Sequence, residues 1–222
     1  MNMKQIITRN KAIAAAVLTL SLTGCALTPA TESLKYTPQA NVQRILGAEN
    51  ISVNVVTTDS RVDKVIGNKV NGFGMKMAGI SADEPVEITI DRAIEQEIKA
   101  RGFHIDPNSG LVVNADVTKF YSKANVGIPI LTYGVHSNVE ITASVTKNNS
   151  FLYKKAIQGS AGFNHRLALG IDSCTGSIFG TASSDDRCNL ERALTDIMNN
   201  LFNDKDFIAV LMATKPTQTA GN

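Results

Sequence analysis

Hydrophobic and polar positions alternate along much of the chain, with two clear changes of period. Ile51, Val53 and Val55 alternate with Ser52 and Asn54, which predicts a half-buried strand where the folded domain begins. Asp59 to Asp63 reads as a turn. The stretch from Val65 to Ile80 is glycine-rich, and Asn71 before Gly72 predicts a hairpin turn. From Glu87 to Arg101 the period becomes helical, with Ile90, Ala93, Ile94, Glu97 and Ile98 on one stripe and Gly102 as the stop. A cluster of turn residues, Asp106 to Gly110, precedes a long strand carrying Leu111, Val113, Ala115, Val117, Phe120 and Tyr121. Val139 to Thr146 and Phe151 to Phe163 then alternate on either side of Asn148 and Asn149, which is the pattern of a meander. Leu190, Ala193, Leu194, Ile197, Met198, Leu201 and Phe202 give the last long helix a continuous apolar face. A shorter amphipathic piece follows Asp204, with Phe207, Ile208 and Leu211 facing the same core.

Strand, helix, antiparallel strands and helix in that order predict an α+β two-layer domain: an antiparallel β-sheet covered on one face by two main helices. An antiparallel sheet tolerates one solvated face, so the polar side of the meander is the expected docking surface.

The N-terminus has a different character. Lys4, Arg9 and Lys11 precede an uncharged apolar run from Ala12 to Leu22, the layout of a secretory signal. The run is shorter than the roughly 18 to 20 residues of a membrane-spanning helix. Leu22, Thr23, Gly24 and Cys25 resemble the bacterial lipobox, which implies acylation of Cys25 as the first residue of the mature chain. Two or three acyl chains, as such lipoproteins carry, suffice for stable anchoring. Ala26 stands where an Asp would favour retention in the inner membrane, so the expected location is the outer membrane, lipid-anchored and facing the periplasm. The domain plan is therefore residues 1–24 as signal peptide, 25–48 as acylated N-terminus and flexible tether, 49–213 as a single α+β domain and 214–222 as a frayed tail. The tether reading rests on the Thr, Pro, Ala and Ser content from Ala26 to about Gln39, which shows no period.

Processing changes the charge. The full chain carries +2, and removing Lys4, Arg9 and Lys11 brings the mature chain to 2 − 3 = −1. With no basic stripe and no interleaved aromatics, a nucleic-acid partner is not expected. If Cys25 is acylated, two of the three cysteines remain, Cys174 and Cys188, and an exported chain would join them in a disulfide around a Gly, Ser and Thr-rich loop, the alternative being a reactive thiol near the start of the last helix.

Catalytic chemistry finds little support. His104, His136 and His165 are far apart without metal-ligand spacing, so no metal and no cofactor are expected. Gly159 to Gly162 does not form a nucleophile elbow, and Gly72 with Gly74 lacks the third glycine of a dinucleotide fingerprint; close approach or a bulge explains these glycines better. Asp185 and Asp186 read as helix-start charges. No catalytic residue is assigned and no enzymatic activity is expected.

Ala100 to Phe103 followed by Pro107 and Asn108, the strand pair Val139 to Phe163, and Asn189 to Leu211 with its Leu-Thr-Asp-Ile segment and Asp206, Phe207, Ile208 ending resemble the YajG-type bacterial lipoproteins. The resemblance implies location and fold more than activity. The stretches Ile128 to Gly134 and Cys174 to Cys188 depart from it. Together these readings predict a non-enzymatic envelope lipoprotein, bound to the membrane by its N-terminal lipid, that binds or scaffolds an envelope protein or glycan and whose oligomeric state the sequence leaves open. The alternatives are a peptidoglycan hydrolase, which needs two carboxylates facing each other in a cleft, and a carrier of lipid or another small hydrophobe, which needs an apolar cavity under the sheet.

Overall fold

The structure, a computed structural model, describes residues 27–71, 73–127, 132–166 and 182–213. The signal region, Cys25, Gly72, most of the Cys174 to Cys188 loop and the tail lie outside the described residues.

In chain order the strands are β1 (Ala30–Glu32), β2 (Ser52–Asp59), β3 (Gly67–Val70), β4 (Lys76–Ala82), β5 (His104–Ile105), β6 (Leu111–Gly127), β7 (Thr132–Lys147) and β8 (Ser150–Arg166). Helix α1 (Val86–Ala100) lies between β4 and β5, and α2 (Ala182–Phe202) and α3 (Lys205–Ala213) follow β8. All eight strands form one sheet with β6 as its spine. Along one side of β6 runs β7, antiparallel, and β8 continues the meander. The other side is shared. Its first half pairs in parallel with β2, from Asn54↔Val112 to Asp59↔Val117, and further on Ser122 meets Gly67 of β3, also in parallel. The sheet thus forks, one arm ending in β5 and the other running through β4 to β1.

The α+β class and the helices packed on the sheet are as the pattern predicts, with two main helices and the shorter piece after Asp204 among the described residues, but the sheet is mixed rather than antiparallel. The reason is topological. The connection from β2 to β6 contains α1, and a crossover of that length returns the chain to run in the same direction as the strand it left. Side-chain alternation reports which face is buried and is silent about the direction of the neighbouring strand.

Local sequence accounts for the element boundaries. Gly102 adopts φ +99° after α1, where its N–H donates to Lys99 O and that of Phe103 to Ile98 O, closing the helix in a left-handed cap that a side chain would strain. Asn148 and Asn149 both have positive φ, the geometry that a two-residue hairpin needs. In β6 the buried set shifts from Leu111, Val113, Ala115 and Val117 to Phe120 and Ser122, because a bulge at Thr118 inserts one residue. The Asp204 carboxylate accepts the N–H groups of Asp206 and Phe207 and so starts α3, and Phe207 stacks edge-on against Phe202 and Tyr153 with centroids 5.5 Å away in each case. Ile90 and Ile94 of α1, the Leu190 to Leu201 stripe of α2 and the inward residues of β6 and β7 share one core.

The segment expected as a tether behaves differently from Ala30 onward. Ala30 to Glu32 pair in parallel with Ile80 to Ala82, Leu34 is buried, and the Ile45 N–H donates to Arg101 O. Its irregular spacing hid this, since Leu34, Tyr36 and Ile45 follow neither strand nor helix period. They dock through an acid buried in α1.

Candidate functional site

That acid is Glu97, wholly buried at a core position of the α1 stripe. A lone buried carboxylate would be prohibitively desolvated, and the chain surrounds it with donors. The Arg101 guanidinium one turn on pairs with it, the Tyr36 hydroxyl donates to it, and the Gln39 N–H donates at 3.1 Å. Arg101 lies over the Phe202 ring, 4.3 Å from its centroid. Burial, then Glu97, push the Tyr36 hydroxyl well above its ordinary range, so it serves as a neutral donor. The cluster is a latch that ties the N-terminal segment to the helix layer.

A second buried carboxylate, Asp186 of α2, accepts a hydrogen bond from Ser122 Oγ, which in turn accepts one from Ser137 Oγ at 2.9 Å. Its other oxygen, Oδ2, has no hydrogen-bond partner. Burial dominates here, with Glu32 adding to it against the Ser122 bond, and the pKa rises to about 6. The reading of Asp186 as a helix-start charge is corrected: it lies one turn before Leu190 on the apolar stripe of α2, and that face meets the sheet. Ser122 and Ser137 are as closed to solvent as Asp186, so the three form no open reaction site.

A cleft with several carboxylates opens where β2 ends and α1 begins. It encloses about 450 Å³ and is lined by Asp59, Arg61, Lys64, Asp83, Glu84 and Glu87. Arg61 pairs with Asp59 at 2.8 Å and also donates to Phe120 O, and Lys64 reaches Asp59 at 3.1 Å. Burial raises the Asp59 pKa, but the hydrogen bonds from Arg61 and Lys64 outweigh it and hold the group at about 2. Glu84 pairs with Arg92. A general acid needs a raised pKa, and Asp59 has the reverse. The candidate histidines do not converge, with His104 on β5 and His136 exposed on β7, and no group of three potential metal ligands occurs among the described residues.

A broad polar surface is formed by the face of β6, β7 and β8 turned away from the helices. Rows of paired residues cross it: Asn114, Ser144 and Lys154; Asp116, Thr142 and Ala156; Lys119, Glu140 and Gln158; Tyr121, Asn138 and Ser160. All of these side chains except that of Ala156 are polar, and the pair Lys119 and Glu140 is open to solvent. The free edge of β8 is less available. Asp196 accepts the Ser160 N–H at 2.9 Å and Asn200 donates to Gln158 O at 2.8 Å, so α2 already occupies backbone groups that an added strand would need. Strand addition at this edge is therefore opposed by α2.

Of the sequence-predicted site residues, Cys188 is disulfide-bonded, while Cys25 and Cys174, the remaining cysteines, lie outside the described residues. The buried acids were legible in part, as acidic residues in phase with an apolar stripe.

The fold and its surfaces define a helix-backed, mixed-sheet α+β domain whose second face is polar. The chain belongs to a family described as uncharacterized lipoprotein, whose model matches residues 38–212. No curated protein matches the sequence. Among solved structures, a protein from Xanthomonas campestris is similar at 13% identity, covering 84% of this chain and 94% of its own, with a TM-score of 0.48. A lipoprotein from Neisseria meningitidis is similar at 13% identity, covering 50% and 83%, with a TM-score of 0.31. A minor lipoprotein from Acinetobacter baumannii is similar at 9% identity, covering 68% and 89%, with a TM-score of 0.36.

Proposed function

We propose that this lipoprotein is acylated at Cys25, held in the outer membrane facing the periplasm, and binds or scaffolds another envelope component, protein or glycan, without catalysing a reaction. The anchoring rests on the charged and apolar leader, the Leu-Thr-Gly-Cys sequence and membership of a lipoprotein family. Ala26 in place of Asp supports the outer membrane, and the resemblance to the YajG-type lipoproteins agrees with it. Cys174 is the proposed disulfide partner of Cys188, since Cys25 is taken by the lipid.

The observation that carries the binding role is the uncovered face of β6 to β8. Three strands of 16 or 17 residues present polar side chains there, with no helix among the described residues over them. Such a face docks a partner without exposing an aggregation-prone apolar patch. In cells, a photo-crosslinker at Thr142 or Gln158 captures one defined partner, and the same probe at Arg92, exposed on α1, does not. Equal, nonspecific capture at all three positions refutes the binding role. A Cys25→Ala chain that remains in the membrane fraction after carbonate washing refutes the anchor.

A further inference from the structure

The β3–β4 hairpin carries apolar side chains in solvent that the core does not use. Phe73 is 72% exposed, Met75 57% and Met77 37%, and Leu27, from the other end of this arm, is 59% exposed. These residues gather at one end of the sheet. Strand β1 runs parallel to β4 with Ala30 beside Ile80, so the residues before Ala30 lead back along β4 toward its start, where the hairpin turns. Lys69 of the hairpin donates to Thr28 O at 2.9 Å and fixes the approach. The turn is preorganised: Asn71 Oδ1 accepts the N–H groups of Phe73 and Met75, Asn71 N–H donates to Met75 O, and Gly74 takes φ +78°.

Charge and chain length identify what covers this patch. Between Lys64 and Asp83 the sequence contains Lys69 and Lys76 and no acid, and β6 alongside adds Lys123 toward the same end. Cys25 is two residues before Leu27, so its Cα lies within roughly 7 Å of the Leu27 Cα at full extension. An acyl group at Cys25 therefore enters the bilayer beside the hairpin tip.

We propose that the β3–β4 hairpin tip, with Leu27, is a second membrane contact that inserts Phe73 and Met75 into the interfacial region of the same bilayer that holds the lipid. The inference rests on acylation of Cys25. Apolar side chains set among lysines bind an anionic lipid surface by burial and by charge, reaching about 5–10 Å into the boundary of head groups and chains. The contact sets orientation: β3 runs parallel to β6, so with the tip down β6 to β8 stand upright on the membrane and their polar face is turned sideways into the periplasm.

The chain has no tryptophan, so a single one reports depth. Phe73 and Phe151 are equally exposed at 72%, but Phe151 lies beyond the β7–β8 turn, at the opposite end of the sheet. The two are separated by roughly 40 Å along the strands. The acylated full-length chain, as Phe73→Trp or Phe151→Trp, is reconstituted into vesicles of phosphatidylethanolamine and phosphatidylglycerol, with and without brominated acyl chains. The expected result is flotation of both variants, with emission from Trp at position 73 shifted to the blue and quenched by bromine, and emission from Trp at position 151 unchanged. Met75→Trp gives the same reading should Phe73→Trp fold poorly. Flotation with solvent-like, unquenched emission at 73 and 75 overturns the hairpin contact and leaves the anchor standing. A blue shift that depends on protein concentration without vesicles overturns it in favour of self-association. Failure to float sinks the anchor and the inference with it.

Discussion

Gly159 sits in β8 directly under α2, and replacing it with alanine tests how that helix is seated. A Cβ at this position would lie 2.3 Å from Ala193 O, 2.4 Å from Ile197 N and 2.7 Å from Ile197 Cβ. Ordinary contact begins at 3.4 Å, so the helix backbone must retreat by about 3.4 − 2.3 = 1.1 Å. It has little room to do so. Leu190, Leu194, Ile197 and Leu201 are fully buried, and the bonds from Asp196 and Asn200 to the β8 backbone hold the other side. Gly159 does not have positive φ, so nothing in the backbone forbids a side chain. An unstrained Gly→Ala change would stabilise by about 0.4–1 kcal/mol through the unfolded state. Overpacking costs about 1–3 kcal/mol and exceeds that gain, and because the clashing atoms are backbone the upper part of the range applies. With a urea slope of about 2 kcal/mol per molar, the midpoint of Gly159→Ala falls by roughly 1 M with the slope unchanged. A midpoint equal to or above that of the parent chain would show that α2 is not in tight contact with β8.

The other perturbations address the buried charges and the disulfide. The Asp186 pKa is about 6 in the folded state against an ordinary value of 3.8, so the folded chain holds this proton more tightly and its stability falls as pH rises from about 4 to 6. That shift corresponds to about 3 kcal/mol, and Asp186→Asn gains stability of that order at pH 7.5 and none below pH 4; urea titrations showing a loss at pH 7.5 would contradict the assignment. Arg101→Leu leaves Glu97 buried without its cation and lowers stability by about 3–5 kcal/mol, read as a drop in thermal midpoint. Tyr36→Phe removes one donor to the same carboxylate, costs about 1.5–3 kcal/mol, and speeds amide exchange in residues 34–45 ahead of the rest; uniform exchange would argue against a latch. Closing the Cys174 to Cys188 loop contributes about 3 kcal/mol by the chain-entropy argument, so Cys188→Ala should lose that much, and the parent chain should show no titratable thiol when denatured without reductant.

The parts of the fold legible in the sequence are those decided by neighbours along the chain. Gly102 stops α1 through its own φ, Asn148 and Asn149 turn the meander through theirs, and Asp204 starts α3 with its own carboxylate. What could not be read depends on partners distant in sequence. Parallel pairing of β2 with β6 joins residues 58 apart at Asn54 and Val112, and no local pattern encodes it. The docking of residues 30–45 is of the same kind, and its sign was present only as an anomaly: Glu97 stands where the α1 stripe calls for an apolar residue. Asp186 is the corresponding anomaly on α2. An acid in phase with an apolar stripe predicts a buried partner, and the two cases diverge in what they find. Glu97 meets an arginine and a tyrosine and becomes a structural latch, whereas Asp186 meets only a serine hydroxyl and retains its raised pKa.

The polar face and the hairpin tip differ in how a sequence can disclose them. The face follows from alternation, because each inward Val or Ile of the meander fixes an outward Thr, Ser or Asn beside it. The tip does not, because Phe73, Met75 and Met77 alternate with smaller or charged residues as core-facing positions would. Their exposure appears only in the folded chain, where the parallel pairing of β1 with β4 brings the segment that follows Cys25 toward the same end. A free-floating domain would gain nothing from such a patch and would risk association through it. With the proposed lipid on Cys25, the same patch would be covered by the bilayer, and the anchor that precedes it would remove the cost of exposure.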